Sequence, residues 1–251
     1  MKPGLTAPSW EKALYGVLVA RSSSKTLEQV AAEYPNARPL CMTLDGLFAH
    51  QSGDHGRARQ LLHQSLLSGF VPESDPFVVK YISASRLTIP IADGVSVEMP
   101  LCREAVGLAL AELHQEAGDL AAAIAAVEAL PPSGAVGISA AELYCAAGRY
   151  REVVEMTEGV ENDDDASAFL LVMRGVALRE LEHHDAAKDC LTEALRARSR
   201  APEVRHRALI ERAQVHLDKG RNGLARRDLE RILAEDSAYP GLSQALAQIR
   251  E

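Results

Sequence analysis

Apolar residues recur along most of the chain at the three- and four-residue spacing that is typical of amphipathic helices. One segment departs from this pattern: between residues 86 and 99 the apolar residues alternate with polar ones, as in a half-buried strand. The pattern therefore predicts an all-α protein with one inserted β-hairpin at about residues 86–99.

The hairpin segment reads RLTIPIADGVSVEMP, with a turn expected at Ala92-Asp93-Gly94. This register places six apolar residues on one face: Leu87, Ile89, Ile91, Val95, Val97 and Met99. Thr88, Pro90, Ser96 and Glu98 share the other face. Since a two-stranded ribbon is not stable alone, its apolar face either packs on neighbouring helices or binds a partner. The sequence favours packing but leaves both interpretations open.

Small residues recur in pairs that are twelve positions apart. One member of each pair lies on a first helix and the other follows the turn into a second helix. The pairs are Gly46 with Ala58, Ala111 with Ala123, Ala141 with Val153, Gly175 with Ala187, and Ala213 with Ala225. Gly53, Gly118, Gly148 and Gly220 precede the second helices, where a left-handed residue ends a helix. Asp54, Asp119 and Asp185 are suited to the N-terminal ends of the helices that follow. This spacing predicts antiparallel helix pairs that cross closely.

The pairs resemble tetratricopeptide repeats (TPRs), whose eighth and twentieth positions are small. The strongest match is LLVMRGVALRELEHHDAAKDCLTEAL, and the resemblance covers roughly residues 38–235. Val153 departs from the pattern, and the large first-helix aromatic of the family is absent. The resemblance implies a right-handed TPR-like α-solenoid.

The expected organisation is a single solenoid domain over residues 1–251. Its parts are an N-terminal helix pair at 9–34, a repeat at 38–70, the hairpin at 86–99, four repeats at 102–235 and a C-terminal capping helix at 239–250. Ser9 is expected to cap the first helix, and the second helix is expected to end before Pro35.

A second resemblance concerns the hairpin and the repeat that follows it, SRLTIPIADGVSVEMPLCREAVGLALAELHQEAGDLAAAIAAVEALPP. A TPR array interrupted by a β-finger is similar to the N-terminal domains of type VII secretion AAA+ ATPases, the EccA family, and to actinobacterial TPR proteins. No GxxxxGK[ST] phosphate loop is present. The resemblance thus implies architecture more than activity.

Composition restricts the partners. The formal charge of −8 makes general nucleic-acid binding an unfavoured interpretation. Residues 196–231 are an exception, with eleven Lys or Arg against five Asp or Glu, a net of +6. No membrane span or signal peptide is predicted. The four scattered cysteines are expected to be buried thiols in a reducing compartment, which favours a cytoplasmic location.

No residue pattern indicates catalysis, a cofactor or a metal. The HHD stretch at 183–185 and the ENDDD stretch at 161–165 are interpreted as a helix turn and a helix-capping loop. Thr43, Leu44 and Leu47 occupy the places where a carboxylate-clamp TPR carries Lys and Asn, which disfavours a chaperone-tail receptor.

The leading hypothesis is a non-catalytic scaffold that binds a partner protein or an extended peptide in its concave groove. The candidate partner-binding residues on the first helices are Phe169, Val172, Val176, Arg179, Arg207 and Gln214. An apolar trough with an arginine rim suits a peptide with apolar anchors and an acidic end. The same residues are equally compatible with a charged face that is solvated and binds no partner. The alternatives are a regulatory or substrate-recognition component acting in trans with a secretion-type ATPase, or nucleic-acid binding through residues 196–231. We expect no membrane association, and a monomer or weak dimer.

Overall fold

The structure is a computed structural model that describes residues 2–92 and 94–249. The chain groups into two compact units. The first runs to Ile91 and includes Ser96–Pro131, and the second comprises Ala92–Val95 and the chain from Pro132 onward. The single continuous domain expected from the sequence stays a prediction.

The first unit contains most of the hairpin and three helix pairs. In chain order its elements are α1 (Ser9–Leu18), α2 (Leu27–Glu33), α3 (Arg38–Gln51), α4 (His55–Leu67), β1 (Arg86–Ala92), β2 (Val95–Pro100), α5 (Arg103–Glu116) and α6 (Leu120–Glu128). A short 3-10 turn, Pro72–Ser74, and a π turn, Val78–Ile82, occupy the stretch between α4 and β1.

The second unit consists of helices. They are α7 (Gly134–Ala146), α8 (Tyr150–Met156), α9 (Asp165–Glu180), α10 (His184–Ala194), α11 (Pro202–Asp218), α12 (Asn222–Glu235) and α13 (Leu242–Gln248). Leu242 and Ile249 join the apolar cluster of α11 and α12, so α13 packs on that pair. The predicted end of this element, residue 250, lies outside the described residues. No helix in the described part of the chain is long and apolar enough to cross a membrane.

The helix pairs cross at the predicted small residues. Ala58, Ala123, Val153, Ala187 and Ala225 have no exposed surface. A Cβ atom added at Gly46 would lie 2.7 Å from Leu62 Cδ2, and one at Gly175 would lie 2.6 Å from Leu191 Cγ. Because real Cβ atoms do not approach other atoms this closely, any larger residue at these two crossings would force Leu62 or Leu191 to shift. The pairing rule inferred from the sequence is confirmed.

Left-handed residues end the first helices, as the sequence predicts. Gly53, Gly118, Gly148 and Gly220 have φ values of 81°, 76°, 72° and 67°. The turn between α9 and α10 has no glycine, and Glu182 adopts the left-handed conformation there with φ 64°. A side chain in this conformation costs about 1–2 kcal/mol.

We expect Glu182→Gly to raise the free energy of unfolding by about 1 kcal/mol, because glycine removes this strain at a smaller entropic cost. The matched reverse change, Gly148→Ala, should lower it by a similar amount. Urea unfolding measures both. If Glu182→Gly were no more stable than the parent, the strain at this turn would be absent.

Side-chain helix caps are present at three of the predicted sites and absent at two. Asp54, Asp119 and Asp164 accept hydrogen bonds from backbone N–H groups in the first turns of α4, α6 and α9. Ser9 does not cap α1, because the helix already includes it and Pro8 holds the cap position. Asp185 lies in the first turn of α10 and accepts a bond from Lys219 Nζ at 2.6 Å instead of capping the helix.

Aromatic rings fix α1 within the first unit. Tyr81 lies in the π turn, 5.1 Å between ring centroids from Tyr15 and 4.8 Å from Phe77. Glu11 accepts hydrogen bonds from Lys80 Nζ at 2.7 Å and from the Tyr81 hydroxyl at 2.5 Å, and these bonds lower the pKa of Glu11. The stretch between α4 and β1 therefore anchors the N-terminal helix pair.

The hairpin is confirmed as a two-stranded sheet with the predicted alternation. Ile89 and Ile91 are buried, Leu87 and the apolar residues of β2 are partly buried, and the opposite face is exposed. Gly94 has φ 73°, as its turn position requires. Asp93 of the predicted turn lies outside the described residues. The burial of Ile89 and Ile91 agrees with the packing interpretation.

A histidine–carboxylate pair joins α3 to α5 in the first unit. His50 Nε2 lies 3.2 Å from Glu112 Oε2, and neither side chain is more than a quarter exposed. The adjacent Glu112 carboxylate raises the pKa of His50 above its ordinary value, with a smaller contribution from Glu116 and an opposing one from burial. His55 stacks edge-on against His50 and lies 2.8 Å from Glu116.

Because the folded state binds the His50 proton more tightly than the unfolded chain, this pair stabilises the fold below the ordinary histidine pKa. The stabilisation is lost as pH rises through the elevated value. We expect the parent to be more stable than His50→Gln by about 0.5–1 kcal/mol at pH 5.5, and the difference to fall toward zero at pH 8.5. Glu112→Gln should be less stable than the parent by a similar amount at pH 5.5, and this difference should also fall toward zero at pH 8.5. A parent-minus-variant difference that does not change with pH would contradict this assignment.

Candidate functional site

Charged side chains of three first helices meet on one surface of the second unit. They are Glu142 of α7, Arg179 and Glu180 of α9, and Arg207, Glu211 and Asp218 of α11. We call this set the first-helix cluster. These positions come together because the first helices of successive repeats lie side by side. Helix α7 packs against α9, and α9 packs against α11.

Arg207 lies between two carboxylates of the cluster. Its Nε donates to Glu211 Oε1 at 2.9 Å, and its Nη2 lies 3.9 Å from Glu142 Oε1. The three side chains are 13–19% exposed. Arg207 is therefore accessible at the surface and already ion-paired within the chain.

Arg179 makes a second set of ion pairs. Its Nη2 donates to Glu180 Oε1 at 2.6 Å and lies 4.0 Å from Glu211 Oε2. Its Nη1 lies 3.9 Å from Asp218 Oδ2. Gln214, which is exposed, donates from Nε2 to Asp218 Oδ1 at 3.2 Å. The arginine rim expected to face an acidic ligand is thus neutralised by the protein's own carboxylates.

The predicted apolar anchors lie inside the helix packing. Phe169 and Val172 have no exposed surface, and Val176 is 8% exposed. A first helix contacts its own second helix and the neighbouring repeats, so these apolar positions are used within the core. The structure therefore places Arg179, Arg207 and Gln214 at the surface, whereas Phe169 and Val172 lie inside the helix packing.

A recess of about 470 Å³ adjoins the cluster. Pro202, Ile210 and Tyr239 form apolar parts of its wall, and Glu203, Glu211, Asp236 and Arg207 line it as well. The Tyr239 ring lies edge-on to His206 at 5.5 Å between centroids. Sequence reasoning missed this recess because Asp236 and Tyr239 follow α12 in an irregular segment.

Glu142 was also missed, although a signal for it exists. It directly follows the small residue of α7, as Val176 and Gln214 follow the small residues of α9 and α11. Carrying the same register into α7 identifies this position.

Burial keeps the cysteine of this surface unreactive. It raises the pKa of the Cys145 thiol to about 12. Burial also raises the pKa of Cys41 to about 12 and that of Cys190 above its ordinary value. Because the thiolate is the nucleophile, these shifts keep the thiols protonated at neutral pH. Cys41 is buried as expected, whereas Cys102, Cys145 and Cys190 are partly exposed.

The cationic segment at 196–231 is largely ion-paired. Arg212 donates to both oxygens of Asp228 at 2.8 and 2.6 Å, and Asp228 is buried. Lys219 pairs with Asp185, Arg205 with Glu235, and Arg196 with Glu193. These pairs interrupt the continuous basic face that nucleic-acid binding requires.

The three carboxylate-clamp positions on α3 are buried. The Thr43 hydroxyl lies 2.6 Å from Ser65 Oγ, and Leu44 and Leu47 are buried, so no polar clamp forms on α3. Among the described residues, no group of three or more His, Cys, Asp or Glu side chains is placed to hold a metal ion. The absence of a metal requirement stays a prediction.

The paired helices with close small-residue crossings define a fold of the tetratricopeptide-repeat type. The tetratricopeptide repeat model matches residues 170–200, within α9 and α10 and the turn after them. No curated protein matches the sequence.

Solved structures extend this likeness over nearly the whole chain. The N-terminal domain of the EccA1 ATPase from the ESX-1 secretion system of Mycobacterium tuberculosis is similar, with a TM-score of 0.65 and 22% identity over 96% of this chain and 88% of that chain. TTC0263, a thermophilic TPR protein of Thermus thermophilus, has a TM-score of 0.53 and 16% sequence identity. This match covers 84% of this chain and 98% of that chain. The Cut9–Hcn1 hetero-tetramer of the APC/C has a TM-score of 0.53 and 15% sequence identity. This match covers 96% of this chain and 42% of that chain. The predicted resemblances to TPR repeats and to the EccA N-terminal domain are confirmed for the fold.

Proposed function

We propose that the chain is a non-catalytic scaffold that binds a partner protein or an extended peptide on the first-helix face of its second unit. The observation that carries the proposal is the first-helix cluster, in which partly exposed polar groups of three successive repeats share one surface. TPR proteins generally bind protein partners through such repeats. The structure of the similar Cut9 protein is a hetero-tetramer with Hcn1.

The test uses a peptide selected by display on the immobilised parent chain, and a bulky substitution that blocks the face. Gln214→Trp should weaken binding of that peptide at least tenfold, because Gln214 is exposed and donates a hydrogen bond to Asp218 of the first-helix cluster. Arg227→Trp places the same side chain at an exposed position of α12 and should change binding less than twofold. Circular dichroism checks that both variants fold. Failure to select any peptide, or equal binding by Gln214→Trp and parent, would contradict the proposal.

A second candidate is a regulatory or substrate-recognition component that acts in trans with a secretion-type ATPase. The likeness to the EccA1 N-terminal domain over 96% of this chain favours it. Recovery of an AAA+ ATPase from source-cell extract by the parent, and not by Gln214→Trp, would support this candidate.

Nucleic-acid binding through residues 196–231 is less favoured, since so many of these cations are paired within the chain. It predicts affinity for a labelled DNA 20-mer that falls steeply with salt.

A further inference from the structure

The first-helix face and its recess carry more carboxylates than guanidinium groups. Glu142, Glu180, Glu211 and Asp218 belong to the cluster, and Glu203 and Asp236 line the recess. Arg179 and Arg207 oppose these six carboxylates, and His206 also lines the recess and is counted here as neutral. The formal excess is therefore four negative charges.

The two arginines are poorly suited to receive a ligand carboxylate. Arg207 already lies against Glu211 and Glu142, and Arg179 against Glu180, Glu211 and Asp218. An incoming carboxylate would have to displace one of these groups and would meet the others at close range. Since like charges in partly buried surroundings repel strongly, the face disfavours an acidic ligand.

The lining of the recess has the chemistry of a site for a long basic side chain. Ile210 and Tyr239 provide apolar surface along its wall, and Glu203, Glu211 and Asp236 provide carboxylates. Lysine and arginine place a methylene stem along apolar surface and a charged head against acceptors, and arginine binds carboxylates through paired hydrogen bonds. A volume of about 470 Å³ accommodates either side chain.

We propose that this recess binds an arginine or lysine side chain of an extended partner segment. This inference rests on the proposed function and names the partner chemistry of the same face. The partner segment is basic at the position that enters the recess, in contrast to the acidic end expected from the sequence.

The experiment uses a library of nonapeptides that carry Arg, Lys, Leu or Glu at one fixed position and mixed residues elsewhere, at 150 mM salt. The parent chain should retain the Arg and Lys pools at least tenfold more than the Glu pool. In Glu203→Gln/Asp236→Asn this preference should fall below threefold. The control Glu155→Gln/Glu158→Gln removes two exposed carboxylates from the α8 region and should keep the preference.

The outcomes separate this inference from the proposed function. Preference for the Glu pool, or an unchanged basic preference in Glu203→Gln/Asp236→Asn, overturns the inference and leaves a peptide-binding scaffold in place. An equal loss in the control variant overturns it too, because net charge would then account for the binding. No retention of any pool overturns the proposed function itself.

Discussion

Replacing Ile89 and Val97 together by serine should remove about 3 kcal/mol from the free energy of unfolding. Ile89 is 3% exposed and Val97 is partly buried on the same face of the hairpin. Burial of an Ile side chain is worth about 2–3 kcal/mol, and a half-buried Val contributes about 1 kcal/mol more. Urea unfolding monitored by circular dichroism measures the loss.

The polar face of the same hairpin supplies the control. Thr88 and Glu98 are exposed, so Thr88→Ala with Glu98→Ala should change stability by less than about 0.5 kcal/mol. A serine double variant as stable as the parent would contradict the packing interpretation. The apolar face of the hairpin would then become the candidate partner site.

Gly175→Ala should lower the free energy of unfolding by about 1–2 kcal/mol, although alanine is the better helix former. The added Cβ would lie 2.6 Å from Leu191 Cγ, and Leu191 is fully buried. The matched control is Gly137→Ala in α7, where the nearest side-chain atom is 3.7 Å away. That change should raise stability by about 0.5–1 kcal/mol, since glycine costs this much in a helix.

Shortening the opposing side chain isolates the cause. In a Leu191→Ala background the cost of Gly175→Ala should vanish, because the clashing atoms are gone. If Gly175→Ala were stabilising in the parent, the close crossing of α9 and α10 would be wrong.

Local rules explain which parts of the fold could be predicted. Spacing of small residues identified the crossings at Gly46 and Gly175, since one methyl group decides whether two helices fit there. Turn chemistry identified Gly53 and Gly118, because left-handed backbone strongly favours glycine. Alternation identified the hairpin, since strand faces repeat every second residue.

The site was less predictable because its features depend on contacts between distant helices. Phe169 and Val172 have the period of a groove-lining face, but the same period serves core packing when a helix has neighbours on several sides. The neutralisation of Arg179 and Arg207 depends on Glu142 and Asp218, which lie in different repeats. The π turn at Val78–Ile82 has no local sequence signature, so the sequence predicts no element for that stretch.

Hydrogen–deuterium exchange of the parent chain, with and without the display-selected peptide, tests the central claim most directly. We predict that peptide binding slows exchange in α7, α9 and α11, the helices that supply the first-helix cluster. Protection confined to α1–α6 or to the hairpin, with these three helices unchanged, would contradict a binding face on the second unit.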